Sequence, residues 1–260
     1  MIVSIASHKG GIGKTTITVN LAHCLALATQ KEGKRVLVVD NDPQGNASQL
    51  LGGDYDGSGL YEVYDNENAD LSKCIFQTPY ENVYCLPNTP NTALIEKEIW
   101  DKPQGPTLLR RRLRKYAQEH FDFTLIDNPP NMGIFVFQSL LCSDFCIVPV
   151  EAGSRFSLDG LVHAIEMIEN VKAEANPDLK FLRLLINKVD LRTGISKASV
   201  SSIRNQFGEE NAFTATIPVN TQIVQAEHFR RTVVSHDPRS SSAKSFQALA
   251  NEMIKIMGAA

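Results

Sequence analysis

One α/β domain, a single doubly wound, mostly parallel sheet with helices on both faces, is predicted for the whole chain, residues 1–260. Three observations predict it. Short β-branched apolar runs alternate with longer amphipathic stretches, the pattern of parallel strands joined by crossover helices. A glycine-rich turn follows the first run at once. Acidic residues close two later runs, at the carboxyl ends of strands where such sheets carry their ligand sites.

Strands are expected at Val3–Ala6, Val36–Val39, Val83–Leu86, Phe123–Ile126, Phe145–Val148 and Leu182–Ile186. Gly33-Lys34 precedes the second, and Pro129-Pro130 follows the fourth. The stretch after Ser157 places Leu158, Leu161, Ile165, Ile168 and Val171 on one helical face, with Glu166, Glu169 and Lys172 elsewhere. Asn176-Pro177-Asp178 ends it with turn chemistry. In the basic run Arg110–Lys115 the apolar stripe Leu108, Leu109, Leu113 and Tyr116 reads as the buried side, leaving the arginines as a solvated face. The acidic, glycine-rich segment Gly52–Asp70 reads as a surface excursion within the domain. No internal repeat or long linker interrupts the pattern.

Hydrophobic content of 43% and charged content of 21% are ordinary for a globular protein. No run of about 18 apolar residues exists, so no helical membrane span is expected. No charged-apolar-small leader precedes the first strand, so no secretory signal is expected. Five cysteines without paired spacing suggest reduced thiols and a cytoplasmic setting. Cys142 and Cys146 have a ligand-like spacing, but Cys146 lies inside an apolar strand, which favours burial over metal. The net charge of −3 excludes a uniformly basic nucleic-acid binder, so any DNA contact must use a local patch.

The chemistry concentrates in Lys9-Gly10-Gly11-Ile12-Gly13-Lys14-Thr15-Thr16. Gly10, Gly11 and Gly13 permit positive φ and close backbone approach, so successive amides can point at phosphate oxygens. Lys14 supplies a charge for β- and γ-phosphates, and the Thr15 hydroxyl is placed to ligate Mg²⁺. A helix opening there adds the positive end of its dipole. The run therefore predicts a nucleoside triphosphate site. Asp40-Asn41-Asp42 and Asp127-Asn128 end the second and fourth expected strands, where Mg²⁺ and phosphates would sit. His8 stands where the general phosphate-loop pattern has glycine and is read as a tolerated loop residue.

Lys-Gly-Gly-x-Gly-Lys-Thr-Thr resembles the deviant Walker A sequence of the ParA/MinD family, within the P-loop NTPase type of fold. Asp-x-Asp-Pro-Gln-Gly-Asn at 40–46 resembles the second signature of ParA-type proteins, and Leu125-Ile126-Asp127-Asn128-Pro129-Pro130 their Walker B strand end. The likeness continues through Val148–Ala152, Leu158–Leu161, Ile217-Pro218 and His236–Ser240, nearly the whole chain. It implies a slow, Mg-dependent ATP hydrolase that forms a homodimer around ATP, with Lys9 reaching the partner's nucleotide. It implies that Asp42 orients the attacking water, Asp40 supports the magnesium shell and Asp127 holds a magnesium-bound water. Asn187 and Pro218 match positions that flank adenine.

The resemblance also implies non-specific DNA binding by the ATP dimer, a ParB-like partner that stimulates hydrolysis, and a nucleoid-associated protein that partitions a plasmid, chromosome or protein cargo. Candidate phosphate contacts are Arg192, Lys197 and Arg204, around a helix starting near Ser196, with Arg230 and Arg231. Where relatives often carry arginines after Ile217-Pro218, this chain has Val219 and Gln222, which thins the patch. Two other family activities fit less well. A MinD-like membrane switch would need a basic amphipathic C-terminal helix, whereas the apolar residues of Phe246–Met257 suit packing on the domain. An iron–sulfur ATPase of the nitrogenase type would need glycine-flanked cysteines, which Cys142 and Cys146 are not.

Overall fold

Period-two alternation sorts each strand's side chains to two covered faces. In the computed structural model, which describes residues 1–52, 59–66, 68–153 and 156–258 (without the side chains of 156–160), that alternation builds a seven-stranded sheet. The strands are β1 (Ile2–Ile5), β2 (Val36–Asp40), β3 (Phe76–Gln77), β4 (Val83–Leu86), β5 (Phe123–Asp127), β6 (Phe145–Glu151) and β7 (Lys180–Asn187). Their order is β3-β4-β2-β5-β1-β6-β7, with every pairing parallel except β3 on β4. The helices are α1 (Lys14–Ala28), α2 (Asn46–Leu50), α3 (Leu60–Asp65), α4 (Leu71–Cys74), α5 (Glu96–Asp101) and α6 (Leu108–His120). They continue with α7 (Ile134–Cys142), α8 (Phe156–Glu174), α9 (Gly194–Phe207), α10 (Thr221–His228), α11 (Val233–His236) and α12 (Ser241–Gly258).

Val3, Ile5, Val36, Val38 and Leu125 point to one side, where α1 and α12 cover them. Ile2, Leu37, Val39 and Ile126 point to the other, against α3, α6 and α7, and Val148, Val150, Leu184 and Ile186 extend that side under α8 and α9. α1 lies between the sheet and α12 and is buried almost all round from Ile17 to Ala26. α12 buries Phe246, Leu249, Ala250, Met253 and Met257, so its apolar face is spent on the domain, as its composition suggested. Among the described residues no helix is long and apolar enough to cross a membrane.

The expected strands are all present; Val83–Leu86 keeps its bounds and the others shift at their ends. β2 and β5 run one residue further, because Asp40 and Asp127 still pair in register. β6 reaches Glu151, held by its pairing to Asn187. β3 was not foreseen, since two residues are too short to show a period. The expected surface excursion at Gly52–Asp70 needs correction. Residues 53–58 and 67 lie outside the description, but α3 within that segment buries Leu60, Val63 and Tyr64. Its i, i+3, i+4 apolar triplet was hidden by the acidic residues around it. In α8 Leu161, Ile168 and Val171 are buried as the helical face required, while the side chain of Leu158 lies outside the description. In α6 Leu108, Leu109 and Leu113 are buried, but the face opposite is not wholly solvated. Arg114 turns back to pair with Asp144 and donates to the Cys142 carbonyl at 2.5 Å. All five cysteines are buried, and burial pushes the thiols of Cys24, Cys142 and Cys146 up to about 12.

Candidate nucleotide site

β1 ends at Ile5, β6 lies on one side of it and β5 on the other, so the loop 6–13 leaves the sheet where the strand order diverges. Gly11 has φ 70° and Gly13 φ 91°, both in the left-handed region that favours glycine. Gly13 is required twice over, because a Cβ there would lie 2.7 Å from the Asn187 side-chain nitrogen. Gly13 is also the residue from which α1 starts. The loop thus delivers the unpaired amides of α1's first turn to one point, the arrangement that receives an anion.

Lys14 opens α1 and is buried. Its Nζ folds back over the loop, donating to the carbonyls of Ser7 at 3.3 Å and Lys9 at 3.4 Å. Burial lowers its pKa, while the charges of Asp127 and Asp42 pull the other way. The loop is pinned from β7. Asn187 Nδ2 donates to the Ile12 carbonyl at 2.6 Å, and Lys188 Nζ donates to the Gly11 carbonyl at 2.7 Å.

Opposite the loop stand the strand-end acids. Asp40 and Asp127 are register partners and wholly buried. Burial raises the pKa of both, and neighbouring carboxylates raise them further. Asp40 Oδ2 accepts from the Ser48 amide at 2.7 Å and the Ser48 hydroxyl at 2.6 Å, which fixes the start of α2. Asp127 Oδ1 accepts from Thr18 at 3.2 Å, and hydrogen bonding from Thr15 opposes the rise in its pKa. Among the described residues Asp40 Oδ1 and Asp127 Oδ2 have no hydrogen-bond partner. Buried acceptors left open in this way fit a hydrated divalent cation held between Thr15 and these acids.

A cavity of about 580 Å³ opens on the loop, lined by Gly11–Thr16 together with Asp42, Gln44, Asn46, Asn128 and Arg230. Asp42 is the expected catalytic acid that reaches this wall; Asp40 and Asp127 lie behind it. Asp42 Oδ1 accepts from the Gln44 amide at 2.9 Å, which holds the carboxylate on the loop after β2. A second cavity of about 440 Å³ lies beside the first, and Asn187, Pro218 and Val219 line it. Asn187 and Pro218, the residues expected to flank the base, thus line one cavity, and the Asn187 amide nitrogen is committed to the loop.

The remaining expected residues are dispersed. Within the single chain Lys9 Nζ is paired with Glu151, which also faces Lys188 Nζ at 3.8 Å. The helix expected to start near Ser196 is α9, which starts at Gly194 behind its cap Thr193, with Lys197 in its first turn and Arg192 just before the cap. Arg192 grips Asp190 through two nitrogens at 2.8 Å, and Lys197 is exposed. Arg204, at the far end of α9, donates to the Thr214 carbonyl at 3.0 Å. Arg231 is exposed, whereas Arg230 is on the rim of the phosphate-loop cavity. Sequence reasoning gave Asn128 no role of its own and missed Glu227. Asn128 Nδ2 donates to Ser4 Oγ at 2.9 Å and to the Ile5 carbonyl at 3.1 Å, tying the Walker B end to β1. Its place beside Asp127 was a usable signal; Glu227 stands in no motif.

Comparison with known proteins agrees with this geometry. The family described as "AAA domain" matches residues 1–181. The chain is 34% identical to the chromosome-partitioning ATPase Soj of Thermus thermophilus, over 97% of this chain and 94% of that one. It is 32% identical to the chromosome partitioning protein ParA of Myxococcus xanthus, over 98% and 88%. Among solved structures, the cell division ATPase MinD of Pyrococcus furiosus superposes with a TM-score of 0.78 at 27% identity, covering 98% of both chains. Cobyrinic acid a,c-diamide synthase of Mycobacterium smegmatis, with bound ATP analog and magnesium, superposes with a TM-score of 0.82 at 25% identity, over 98% and 94%. With a phosphate loop of this shape, two strand-end acids behind it and these relatives along nearly its full length, the chain belongs to the ParA/Soj family of partition ATPases.

Proposed function

We propose that the chain is an ATP-driven dimerising switch that binds DNA without sequence preference as an ATP dimer and partitions or positions a cargo. The observation that carries this reading is the loop itself: Gly11 and Gly13 in left-handed conformation, the start of α1, and Lys14 and Asp42 facing one cavity. Lys14 neutralises the β- and γ-phosphates, and the loop amides hold them. Thr15 would hold the magnesium ion directly, Asp127 would hold a water of its shell and Asp40 would support that shell. The ion, when bound, neutralises charge on the phosphates and organises the water around them. Phosphoryl transfer asks the protein mainly for placement and neutralisation of charge. Asp42 supplies the placement, orienting a water in line with the γ-phosphate.

In this reading Lys9 leaves Glu151 and reaches the partner's nucleotide, so that each site is complete only in the dimer. ATP then holds the two chains together and hydrolysis releases them. A ParB-like partner that speeds hydrolysis would time the release, with DNA contacts drawn from Arg192, Lys197, Arg204 and Arg231. The names of the Thermus and Myxococcus relatives support chromosome partitioning as the setting. The test is Asp42→Ala with Mg·ATP. Turnover is expected to fall about a hundredfold or more, while light scattering shows a stable dimer. Monomers of this variant in saturating Mg·ATP would overturn the switch, and unchanged turnover would remove Asp42 from its role.

A further inference from the structure

The two cavities on the phosphate loop share a wall. Gly11, Gly13, Thr16 and Glu227 line both. Of these, Thr16 and Glu227 alone carry polar side chains, so the side-chain chemistry of the seam is one hydroxyl and one carboxylate. The Thr16 hydroxyl donates to Glu227 Oε1. Among the described residues Glu227 Oε2 accepts no hydrogen bond, and no lysine or arginine pairs with the carboxylate. Glu227 is half-buried in the last turn of α10, where the carbonyl end of a helix disfavours negative charge. Its placement does nothing for α10 and needs another reason.

We propose that Glu227 reads the ribose of the bound nucleotide. The inference rests on the reading above, in which phosphates fill the first cavity and the base the second, beside Asn187 and Pro218. The sugar joining them then crosses the seam. Phosphate oxygens repel a carboxylate and offer it no proton, whereas ribose hydroxyls are donors that a carboxylate can accept. Thr16 pins one carboxylate oxygen and so orients the other before the ligand arrives, which lowers the ordering cost of binding. Glu227 is thus a specificity-determining residue: it selects ribonucleotides over their deoxy counterparts.

Calorimetric titration with Mg·ATP and Mg·2′-deoxyATP, and with the 3′-deoxy analogue, tests this. The wild type is expected to bind ATP about tenfold or more tighter than at least one deoxy analogue, the range for a hydrogen bond to a charged group. In Glu227→Ala that ratio falls to near one, with affinity for the deoxy analogue little changed. Glu227→Gln, which can still accept from a hydroxyl, keeps part of the ratio. No preference in the wild type, or a preference that survives Glu227→Ala, overturns the assignment. So does a Glu227→Ala variant that loses selectivity for adenine over guanine while still rejecting deoxy sugars. Val224→Asp separates this from the underlying reading, because it puts charge into the second cavity. Weaker ATP binding with an intact sugar ratio supports both. Unchanged ATP affinity overturns the base placement, and the sugar ratio judges Glu227 independently.

Discussion

Across β1 the carboxyl edge of the sheet changes character. On the β5–β2 side Asp40, Asn41, Asp127 and Asn128 are buried and hydrogen-bonded to one another's strands and helices. On the β6–β7 side the chain exposes Leu191, Ile195, Val219 and Val224 around a few cations, two of which are already tied to protein oxygens. Phosphate chemistry tolerates little positional freedom, so its ligands are locked from several elements at once. Contacts to a DNA backbone or a partner need charge at a surface and little else. The two sides therefore differ in how much a single substitution should cost.

The largest effect belongs to the locked side. Lys14→Ala should lose ATP affinity on the order of a thousandfold, since it removes a buried cation from a buried anion. Unchanged affinity by calorimetry would dissolve the contrast between the sides. His23, on the same helix, probes whether locking extends to stability. Its ring stacks on Tyr80 at 4.3 Å between centroids, and Nδ1 shares a hydrogen bond with Thr232 at 2.6 Å. Burial pushes its pKa down to about 4 from the ordinary 6.5. A depressed histidine is neutral when folded and takes a proton when unfolded, so its contribution is present above pH 6.5 and is lost as pH falls toward 4. The loss should be about 3 kcal/mol. Denaturant titrations of wild type and His23→Gln should show a shallower pH dependence in the variant; equal slopes would refute it.

Asp127→Asn should have a smaller and opposite effect on stability. A carboxyl whose pKa rises on folding resists folding in its ionised form, so removing the charge stabilises the ligand-free chain at neutral pH. The gain should be about 1 to 2 kcal/mol and should narrow toward about pH 4, where the unfolded carboxyl is protonated as well. Thr18 can still donate to the amide oxygen that this substitution introduces, which keeps the fold comparable. A melting temperature below the wild type's would mean that Asp127 is structural rather than held in reserve for a cation.

The same contrast accounts for what was legible in the sequence. Gly11, Gly13, Lys14 and the acids at 40 and 127 announce themselves because few folds other than a phosphate site need glycine, lysine and aspartate at this spacing after a strand. The parallel strands were legible because their apolar runs are continuous. Three features were not. α3 hides three buried side chains in an acidic segment, β3 is too short to carry a period, and Glu227 reaches the loop only because α10 folds back onto α1. Arg230 shows the limit from the other direction. Adjacent to Arg231 in sequence, it lines the nucleotide cavity instead of joining the outer cations. Charge can be counted along a chain, but the side of a fold on which it lands depends on a turn, here Arg230 at φ 51°.

The smallest effects should come from the exposed side, and they discriminate best between a DNA surface and an ordinary solvated one. Lys197 is exposed on the first turns of α9, while Arg192 beside it is spoken for by Asp190. Hydrogen bonding from Arg192 holds the Asp190 carboxyl at about 2, so the pair stays ionised and mutually neutralised at any working pH. If this end of α9 meets DNA, Lys197→Ala should weaken binding several-fold and lower the slope of log affinity against log salt by about 0.9, one phosphate contact. Asp190→Asn should do the reverse, freeing Arg192 and steepening the slope. Retardation of DNA by the ATP-loaded protein at several salt concentrations measures both. Matching slopes in all three proteins would mean that α9 contributes no phosphate contact and that the exposed side serves a protein partner instead.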